Sequence, residues 1–539
     1  MGKIITSTDI YKLKKAGIRE LVLNEGDLLT DLCREILARE GMRVVRASAM
    51  DYAGGQPERA WRGTNDLHQE KAVTPAEPDR HSSGPAPSGN HKYHLVIANG
   101  TVMLPEFGAI SANIGIRDGK VESIGTNSME AETTVDAAGL LVLPGIIDPH
   151  AHMGLFAPLE TDLYTETQSA ILGGVTTIGC FFNQTGSYFP LLRRLESLVP
   201  QRSCVDLFPH FTIRDEEQLQ EIDKYVREGI TSFKMYMCGI PDLFPAQEDG
   251  FIVKVLETLK RLPERTLMCV HAENTSIVEY ASTDDQLKSV NTLAEWAKTH
   301  PDLAEGEAVN RAIYFSNKLD FPIYVVHVSS RDGVEAIRNN SFRKGYIETT
   351  SPYLTIDQDD DIAVKGKMLP PLRDRASRDS LWEALKNGYI DTIGTDNTTM
   401  TLKEKQAANG MVNAIAGYPA LGVHLVSVLD EAIKRGVPLE KVIPLMTMNP
   451  AKTFGVYPAK GTLLPGSDAD LVLVDPNLSK KVDPSFLASR SDFALHEGKT
   501  LRCWPCCTVK AGRIAAWNGR LTENLSSGSV LRRQKSTNP

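Results

Sequence analysis

The sequence predicts a (β/α)8 barrel with a β-sandwich domain formed from segments on both sides of the barrel and a small N-terminal α/β extension. Eight strand-like runs alternate with helical stretches between residues 145 and 457, the order expected of a barrel. Strand-and-turn sequence fills 93–144 and returns at 458–520. An open doubly wound sheet is disfavoured because no glycine-rich phosphate loop follows the first strand.

Length and charge limit the class of protein. The chain has 539 residues, which exceeds one ordinary domain, and 42% are hydrophobic, enough for a globular core. Its net charge of −9 argues against a nucleic-acid partner. No apolar run is long enough to span a bilayer, so no membrane partner is expected. We therefore expect a soluble, cytoplasmic protein.

The first 92 residues fall into two parts. Residues 1–48 predict a small α/β unit, whereas 49–92 are rich in Gly, Pro, Ser and charge and predict a flexible linker. The polar end of the chain, 521–539, is predicted to be a disordered tail. Within the N-terminal unit, helices are expected at 8–15 and 28–40, and strands at 20–22 and 43–47.

The barrel elements follow from apolar runs separated by amphipathic stretches. The strands are expected at 145–150, 175–181, 205–211, 230–236, 267–271, 323–327, 346–350 and 392–395. Clear helical stretches between them include 216–228, 305–318 and 380–387.

Potential metal ligands stand at the ends of these strands. His150 and His152 close the first strand, where residues i and i+2 of an extended chain point the same way. Single ligands end four later strands, and the C-terminal ends of barrel strands are where catalytic residues lie. They are Lys234 on the fourth strand, His271 on the fifth, His327 on the sixth and Asp396 on the eighth. Four imidazoles suit zinc or a similar divalent ion.

Each candidate ligand could instead have a structural role only. A strand-end histidine alone is more often a hydrogen-bonded core residue, which is how we interpret His210 and His424. Lys234 could extend its ammonium to solvent. Carboxylated by carbon dioxide to N6-carboxylysine, it would instead become an anion able to bridge two metal ions. Asp396 could cap the next helix, but its place after the eighth strand favours a catalytic and ligating role.

The cysteines offer one further motif. The eight cysteines are scattered, and Cys503 and Cys506 have CxxC spacing. Redox or zinc chemistry is one interpretation, but no second pair is nearby, so reduced structural thiols are favoured.

Together the motifs resemble those of the cyclic amidohydrolases: hydantoinases, dihydropyrimidinases, allantoinases and dihydroorotases. The resemblance covers roughly 93–518 and is carried by LPGIIDPHAHMG, GGVTTI, GITSFKMYM, CVHAEN, YVVHVSS, ETTSPYL, PPLRD, IGTDN and MNPAKTFGVYPAKGTLLPGSDADLVLVD. It implies two divalent ions, zinc or manganese, bridged by carboxylated Lys234. It places His150, His152 and Asp396 on one ion and His271 and His327 on the other.

Departures from the family pattern bear on the substrate. Gly154 stands where dihydroorotases carry the arginine that pairs the substrate carboxylate, which argues against dihydroorotate. Gly239 stands where hydantoinases carry a tyrosine beside the oxyanion, while Tyr236 is closer to Lys234. Ser351 matches a position whose backbone contacts the ring amide. Tyr236, Gly239 and Ser351 are thus the candidate substrate-binding residues, and Asn397 replaces a histidine common in the family.

The resemblance implies metal-dependent opening of a cyclic amide, ureide or imide ring, with Asp396 moving the proton. Allantoinase is the alternative within the class. A non-catalytic scaffold of the same fold is the alternative from another class, disfavoured because all six ligands are present. Relatives of this kind form homo-oligomers, so a tetramer is expected.

Overall fold

The structure, a computed structural model, describes residues 92–533 except 241–243, 341–343, 524 and 526, together with 4–5, 20–23, 28–29 and 42–46. At the N-terminus, β1 (Ile4–Ile5) pairs in parallel with β3 (Leu28–Leu29), and β2 (Glu20–Leu23) with β4 (Arg43–Arg46). The predicted strands at 20–22 and 43–47 are present. The predicted helix at 28–40 is wrong at its start, because Leu28–Leu29 joins a backbone ladder instead.

The remaining predictions for the N-terminal region concern residues that the structure does not describe. The helix at 8–15, the rest of the helix at 28–40, and the linker up to residue 91 lie outside the described residues.

The β-rich segments from both sides of the barrel share one sheet, as predicted. The leading strands are β5 (Tyr93–Leu104), β6 (Gly108–Arg117), β7 (Lys120–Gly125), β8 (Ala131–Asp136) and β9 (Leu141–Pro144). The long strand β5 pairs in parallel with β8 along its first half and with β9 along its second. This division leaves β9 free to pair on its other edge with a strand from the distant C-terminal segment.

A parallel barrel follows directly after β9. Its strands are β10 (Ile146–His152), β11 (Val175–Phe182), β12 (Asp206–Thr212), β13 (Ser232–Tyr236), β14 (Leu267–His271), β15 (Ile323–Val325), β16 (Tyr346–Thr350), β17 (Thr392–Gly394) and β18 (Asn397–Thr398). They pair in sequence order, and β18 pairs with β10. The ring thus closes where the eighth strand is interrupted by two residues, between β17 and β18. All eight predicted strands are present, although the sixth ends at Val325, two residues early.

Helices cover the outside of the barrel. They are α1 (Leu159–Leu172), α2 (Phe189–Arg202), α3 (Glu216–Arg227), α4 (Asp249–Lys260), α5 (Thr275–Ala281), α6 (Asp284–Leu287), α7 (Leu293–Thr299), α8 (Asp302–Leu319), α9 (Arg331–Asn339), α10 (Ser351–Thr355), α11 (Arg375–Lys386), α12 (Gly410–Asn413), α13 (His424–Lys434), α14 (Leu439–Val442) and α15 (Met448–Thr453). Short 3-10 helices lie at Ala363–Gly366, Ala407–Asn409, Leu421–Val423, Ile443–Met446 and Pro484–Phe486. Within the described part of the chain, no helix is both long and apolar enough to cross a membrane.

The C-terminal segment completes the flanking sheet. Its strands are β19 (Leu471–Asp475), β20 (Lys480–Lys481), β21 (Thr500–Leu501), β22 (Trp504–Lys510), β23 (Arg513–Trp517) and β24 (Arg520–Leu521). β19 pairs antiparallel with β9 on one edge and β22 on the other, so the two sequence-distant halves join through β9 and β19. Cys503 and Cys506 are buried, and burial raises the pKa of their thiols to about 11 and about 12. High thiol pKa values favour the structural interpretation of the CxxC pair.

The predicted disordered tail is wrong as far as Arg533. Leu207 donates to the Ser529 carbonyl at 2.9 Å, and Leu531 donates to the Leu207 carbonyl at 2.7 Å. This short parallel pairing adds the tail to the start of β12. Arg533 is buried, donates to the Ser232 hydroxyl and to the Pro209 carbonyl, and closes the base of the barrel. Two aliphatic residues and a buried arginine order a segment whose overall composition is polar.

Replacing Arg533 with alanine should destabilise the protein by about 2–4 kcal/mol, because it empties a buried space and leaves polar partners unsatisfied. The matched control is Arg532→Ala, which removes half-buried ion pairs to Glu196 and Glu228 and should cost less than about 1 kcal/mol. Urea unfolding at equal metal content measures both. Equal effects of the two substitutions would contradict the role assigned to Arg533.

Candidate active site

All six predicted ligands and Tyr236 line one cavity at the C-terminal ends of the barrel strands. This is the end at which barrel enzymes carry out their chemistry. The lining comprises His150, His152, Leu155, Phe156, Lys234, Tyr236, Ile240, Phe244, His271, His327, Met368, Leu369, Asp396, Thr398, Ala416, Gly417 and Tyr418.

The first ligand group joins β10 to the break in the eighth strand. His150 Nε2 and His152 Nε2 each lie 3.2 Å from Asp396 Oδ1, and the three ligand atoms lie within 4.8 Å of one another. Although His150 Nε2 is buried and close to this carboxylate, it makes no hydrogen bond. Burial holds the pKa of His150 well below its usual range, so its imidazole is neutral and able to ligate. The group therefore fits a divalent ion.

The second group joins β14 to the end of β15. His271 Nδ1 and His327 Nε2 lie 3.0 Å apart, and both rings are buried. Burial also holds the pKa of His327 well below its usual range. Two imidazole nitrogens at this separation are close enough to ligate a single ion.

Two of these ligands have backbone conformations that few side chains adopt. His327 has φ +44° and Asp396 has φ +54°, both in the left-handed region. Such conformations cost about 1–3 kcal/mol and persist where surrounding structure enforces them, commonly at functional sites. The backbone conformation of Asp396 is held in part by a hydrogen bond of 2.8 Å from its amide to the His150 carbonyl.

Lys234 lies in the barrel interior on β13. It is fully buried, and its Nζ lies 4.9 Å from the Phe181 ring centre and 5.0 Å from that of Tyr236. No carboxylate among the described residues lies within 4.0 Å of its Nζ, and burial lowers the pKa of the amine to about 8. The solvent-exposed interpretation of Lys234 is therefore wrong.

Two buried carboxylates orient the histidines. Glu348, on β16, lies 2.8 Å from His150 Nδ1 and accepts from the His327 amide at 2.9 Å. Glu273 lies 2.8 Å from His271 Nε2. Each carboxylate accepts from the ring nitrogen that faces away from the ligand group, so the other nitrogen is left with its lone pair free. Neither residue was predicted from the sequence, although Glu273 follows His271 by two positions in CVHAEN.

Glu273→Gln should weaken metal affinity or activity by about 10–100-fold, because a neutral amide holds the His271 ring less firmly than a carboxylate does. Glu279→Gln is the matched control, since Glu279 is exposed on the following helix. Metal titration of the metal-free protein with a competing chelator measures the affinity. Equal affinities in the two variants would contradict the orienting role of Glu273.

Of the other predicted substrate contacts, only Tyr236 lies in the cavity. Ser351 is buried elsewhere, and its hydroxyl lies 2.9 Å from His424 Nδ1. Gly239 is not part of the described lining, although Ile240 and Phe244 from the same loop are. His210 and His424 bond to serine hydroxyls, in line with their structural interpretation. The apolar lining residues were missed because they come from loops with no periodic pattern.

A second acidic group does not resemble a metal site. Asp206, Asp468 and Asp470 cluster below the barrel, but the ammonium of Lys460 lies within 2.8 Å of all three. Lys510 adds a second cation 2.8 Å from Asp206. The lysines thus already supply the positive charge that a metal ion would bring.

Comparison with known proteins agrees with this geometry. Residues 141–500, two thirds of the chain, match the Amidohydrolase family. The chain belongs to the amidohydrolase family. It is 30% identical to a D-hydantoinase of Ralstonia pickettii, over 82% of this chain and 99% of that one, and 30% identical to an L-hydantoinase of Paenarthrobacter aurescens, over 81% and 98%.

Solved structures show the same relationship. The crystal structure of dihydropyrimidinase from Brevibacillus agri NCHU1002 matches with a TM-score of 0.76 and 28% identity, over 82% of this chain and 99% of that one. Amidohydrolases of this family depend on metal ions, and His150, His152 and Asp396 form a candidate ligand group in this amidohydrolase.

Proposed function

We propose that this amidohydrolase hydrolyses the ring of a cyclic amide of the hydantoin or dihydropyrimidine kind. The observation that carries the proposal is the convergence of all six ligands, together with Tyr236, on one cavity. The named relatives, D- and L-hydantoinases and a dihydropyrimidinase, support this reaction class.

Two divalent ions, zinc or manganese, would be held by the two groups. His150, His152 and Asp396 would hold one ion, and His271 and His327 the other, with carboxylated Lys234 between them. Bound divalent ions lower the pKa of water and polarise an amide carbonyl. The four imidazoles suit zinc better than calcium or magnesium, which prefer oxygen ligands.

The environment of Lys234 favours its carboxylation. An amine with a pKa near 8 is partly neutral at neutral pH, and only the neutral nitrogen attacks carbon dioxide. The new N–C bond forms as the nitrogen loses a proton, leaving an anionic carbamate. Since no described carboxylate pairs with the amine, the carbamate would supply the negative charge that two neighbouring ions require.

Asp396 and Tyr236 would act on the reacting groups. Asp396 accepts the proton released by the attacking water and delivers it to the departing ring nitrogen. Burial raises the pKa of Tyr236 well above its usual range, so its hydroxyl stays protonated and is available to donate to the oxygen of the scissile amide. The product is one ring-opened molecule that carries a new carboxylate at one end of the broken C–N bond and the released nitrogen at the other.

The cavity walls favour a ring with an apolar substituent. Leu155, Phe156, Ile240, Phe244 and Leu369 supply apolar surface. Apart from Lys234 and the histidines, no basic side chain stands in the described lining, so a substrate carboxylate has no partner there. This favours a 5-aryl- or 5-alkyl-hydantoin over dihydroorotate, and over allantoin with its polar ureide group.

Ring opening across a substrate panel tests the proposal. Zinc- or manganese-loaded enzyme is assayed with hydantoin, 5-phenylhydantoin, 5-methylhydantoin, dihydrouracil, allantoin, dihydroorotate, succinimide and glutarimide, with His150→Ala as the control. We expect the highest kcat/KM for an apolar 5-substituted ring. Turnover of allantoin alone would contradict the proposed substrate class and identify an allantoinase. Inactivity despite two bound ions would favour the non-catalytic scaffold.

We also propose that the protein is a homo-oligomer, with a tetramer expected from its resemblance to this group. Light scattering of the full chain and of a variant lacking residues 1–90 measures the mass. A monomer in both cases would contradict the proposal, and an unchanged oligomer would exclude an assembly role for the N-terminal residues.

A further inference from the structure

Lys405 is a buried lysine that the proposed chemistry does not use. It lies in the segment that follows the eighth barrel strand, and its side chain is fully buried. Its ammonium donates to three backbone carbonyls: Lys367 at 3.0 Å, Ile415 at 3.0 Å and Gly417 at 2.6 Å. A lysine ammonium has three donors, so all of them are used.

The three carbonyls belong to two separate segments of chain that border the active-site cavity. Met368 and Leu369 line the cavity directly after Lys367, and Ala416, Gly417 and Tyr418 line it on the other segment. Lys405 therefore joins the 367–369 and 415–418 segments, which we call the two wall segments.

The surroundings give the ammonium no other evident purpose. No carboxylate among the described residues lies within 4.0 Å of Lys405 Nζ, and the nearest aromatic ring, that of Phe493, is centred 6.0 Å away. Burying a cation without a counter-ion is costly, and burial lowers the pKa of Lys405 to about 7. Among the described residues, the hydrogen-bond partners of the amine belong to the two wall segments. An apolar side chain in the same space would leave the Ile415 and Gly417 carbonyls without this donor, so the amine is what connects the two wall segments here.

Further contacts connect the wall segments to the reacting groups. The Gly417 amide donates to the Lys367 carbonyl at 3.3 Å, and the Tyr418 hydroxyl donates to the Thr395 carbonyl at 3.0 Å, next to Asp396. Gly417 has φ +142°, a backbone conformation that L side chains rarely adopt, so any side chain at this position would be strained. A shift of these segments would therefore change the shape of the cavity beside Asp396.

We propose that Lys405 is a positioning residue for substrate binding, whose ammonium holds the two wall segments at the separation that fits the ring. The inference deepens the proposed ring hydrolysis and rests on it. Lys405 does not touch the metal ligands, so its loss should change substrate affinity and leave the metal content and the chemical step intact.

The test compares Lys405→Met, which removes the three donors at similar volume, with Lys403→Met, the same change at an exposed position in the same segment. For the best substrate of the panel, Lys405→Met should raise KM at least tenfold while kcat stays within threefold and two ions remain bound. Lys403→Met should match wild type. An unchanged KM, or a fall in kcat accompanied by metal loss, would overturn the proposal.

Hydrogen exchange gives a readout independent of activity. In the wild type, peptides covering 411–418 should exchange as slowly as the barrel strands, and in Lys405→Met they should exchange faster while the strands are unchanged. Lys405→Gln provides the same comparison if the methionine variant does not fold, and fast exchange of 411–418 in the wild type contradicts the proposal without any variant. Wild-type inactivity on every ring would refute the ring hydrolysis, whereas an active wild type with unaltered exchange in the variant would refute only the role of Lys405.

Discussion

Lys234→Ala should lower kcat/KM at least ~1000-fold and remove most of the bound metal. The substitution deletes the only side chain proposed to contact both ions. The ion on His150 and His152 would keep those two imidazoles and Asp396, and the ion on His271 and His327 would keep two imidazoles. Losing about 4 kcal/mol of transition-state stabilisation corresponds to this rate change, and metal ions commonly supply that much. Metal analysis and steady-state kinetics on the same preparation measure both effects.

The control separates the carbamate from the lysine charge. Lys234→Arg keeps a cation of similar length but cannot form a carbamate, so it should be as inactive as Lys234→Ala. Because alanine leaves a space where the carbamate would lie, added formate or acetate should restore part of the activity of Lys234→Ala and none of that of Lys234→Arg. An arginine variant with wild-type activity would rule out the carboxylated lysine.

The convergence of the six predicted ligands on one cavity was predictable, because in a barrel the position of a residue along its strand determines where it lies in space. Once the strands were assigned, their C-terminal ends had to meet, and the ligands on strands one, four, five, six and eight had to face one cavity. The strand assignment was reliable because the strands are buried on both sides and are rich in apolar and β-branched residues, as in Val175–Phe182.

The residues that orient the ligands were not predictable in the same way. Glu348 lies on β16 amid threonines, and only the three-dimensional register shows that it reaches His150 on another strand. The left-handed backbones of His327 and Asp396 have no sequence signal, because neither residue is a glycine. Ser351 and Gly239 were carried over from family positions. Ser351 begins α10 and Gly239 lies in a loop, and both are outside the described cavity lining.

Asp396→Asn should lower kcat by about 10²–10⁴-fold, the range for loss of a positioned acid–base group. Asparagine has nearly the same shape and keeps an oxygen near His150 and His152, so KM should change little. It cannot accept a proton, however, so neither deprotonation of water nor protonation of the leaving nitrogen is assisted. Stopped-flow or steady-state kinetics with metal-replete enzyme measure the effect.

Asp391→Asn is the control for Asp396→Asn. It separates the loss of proton transfer from the general effect of replacing a partly buried carboxylate with an amide. Asp391 is a partly buried carboxylate that accepts from the Ile347 amide at 2.7 Å at the opposite end of the barrel, so its substitution should affect stability but not kcat. If Asp396 were only a ligand, Asp396→Asn would lose metal and activity together, and excess metal would restore both. Loss of kcat that persists with both ions bound would assign the proton transfer to Asp396 itself, because only its ability to ionise has been removed.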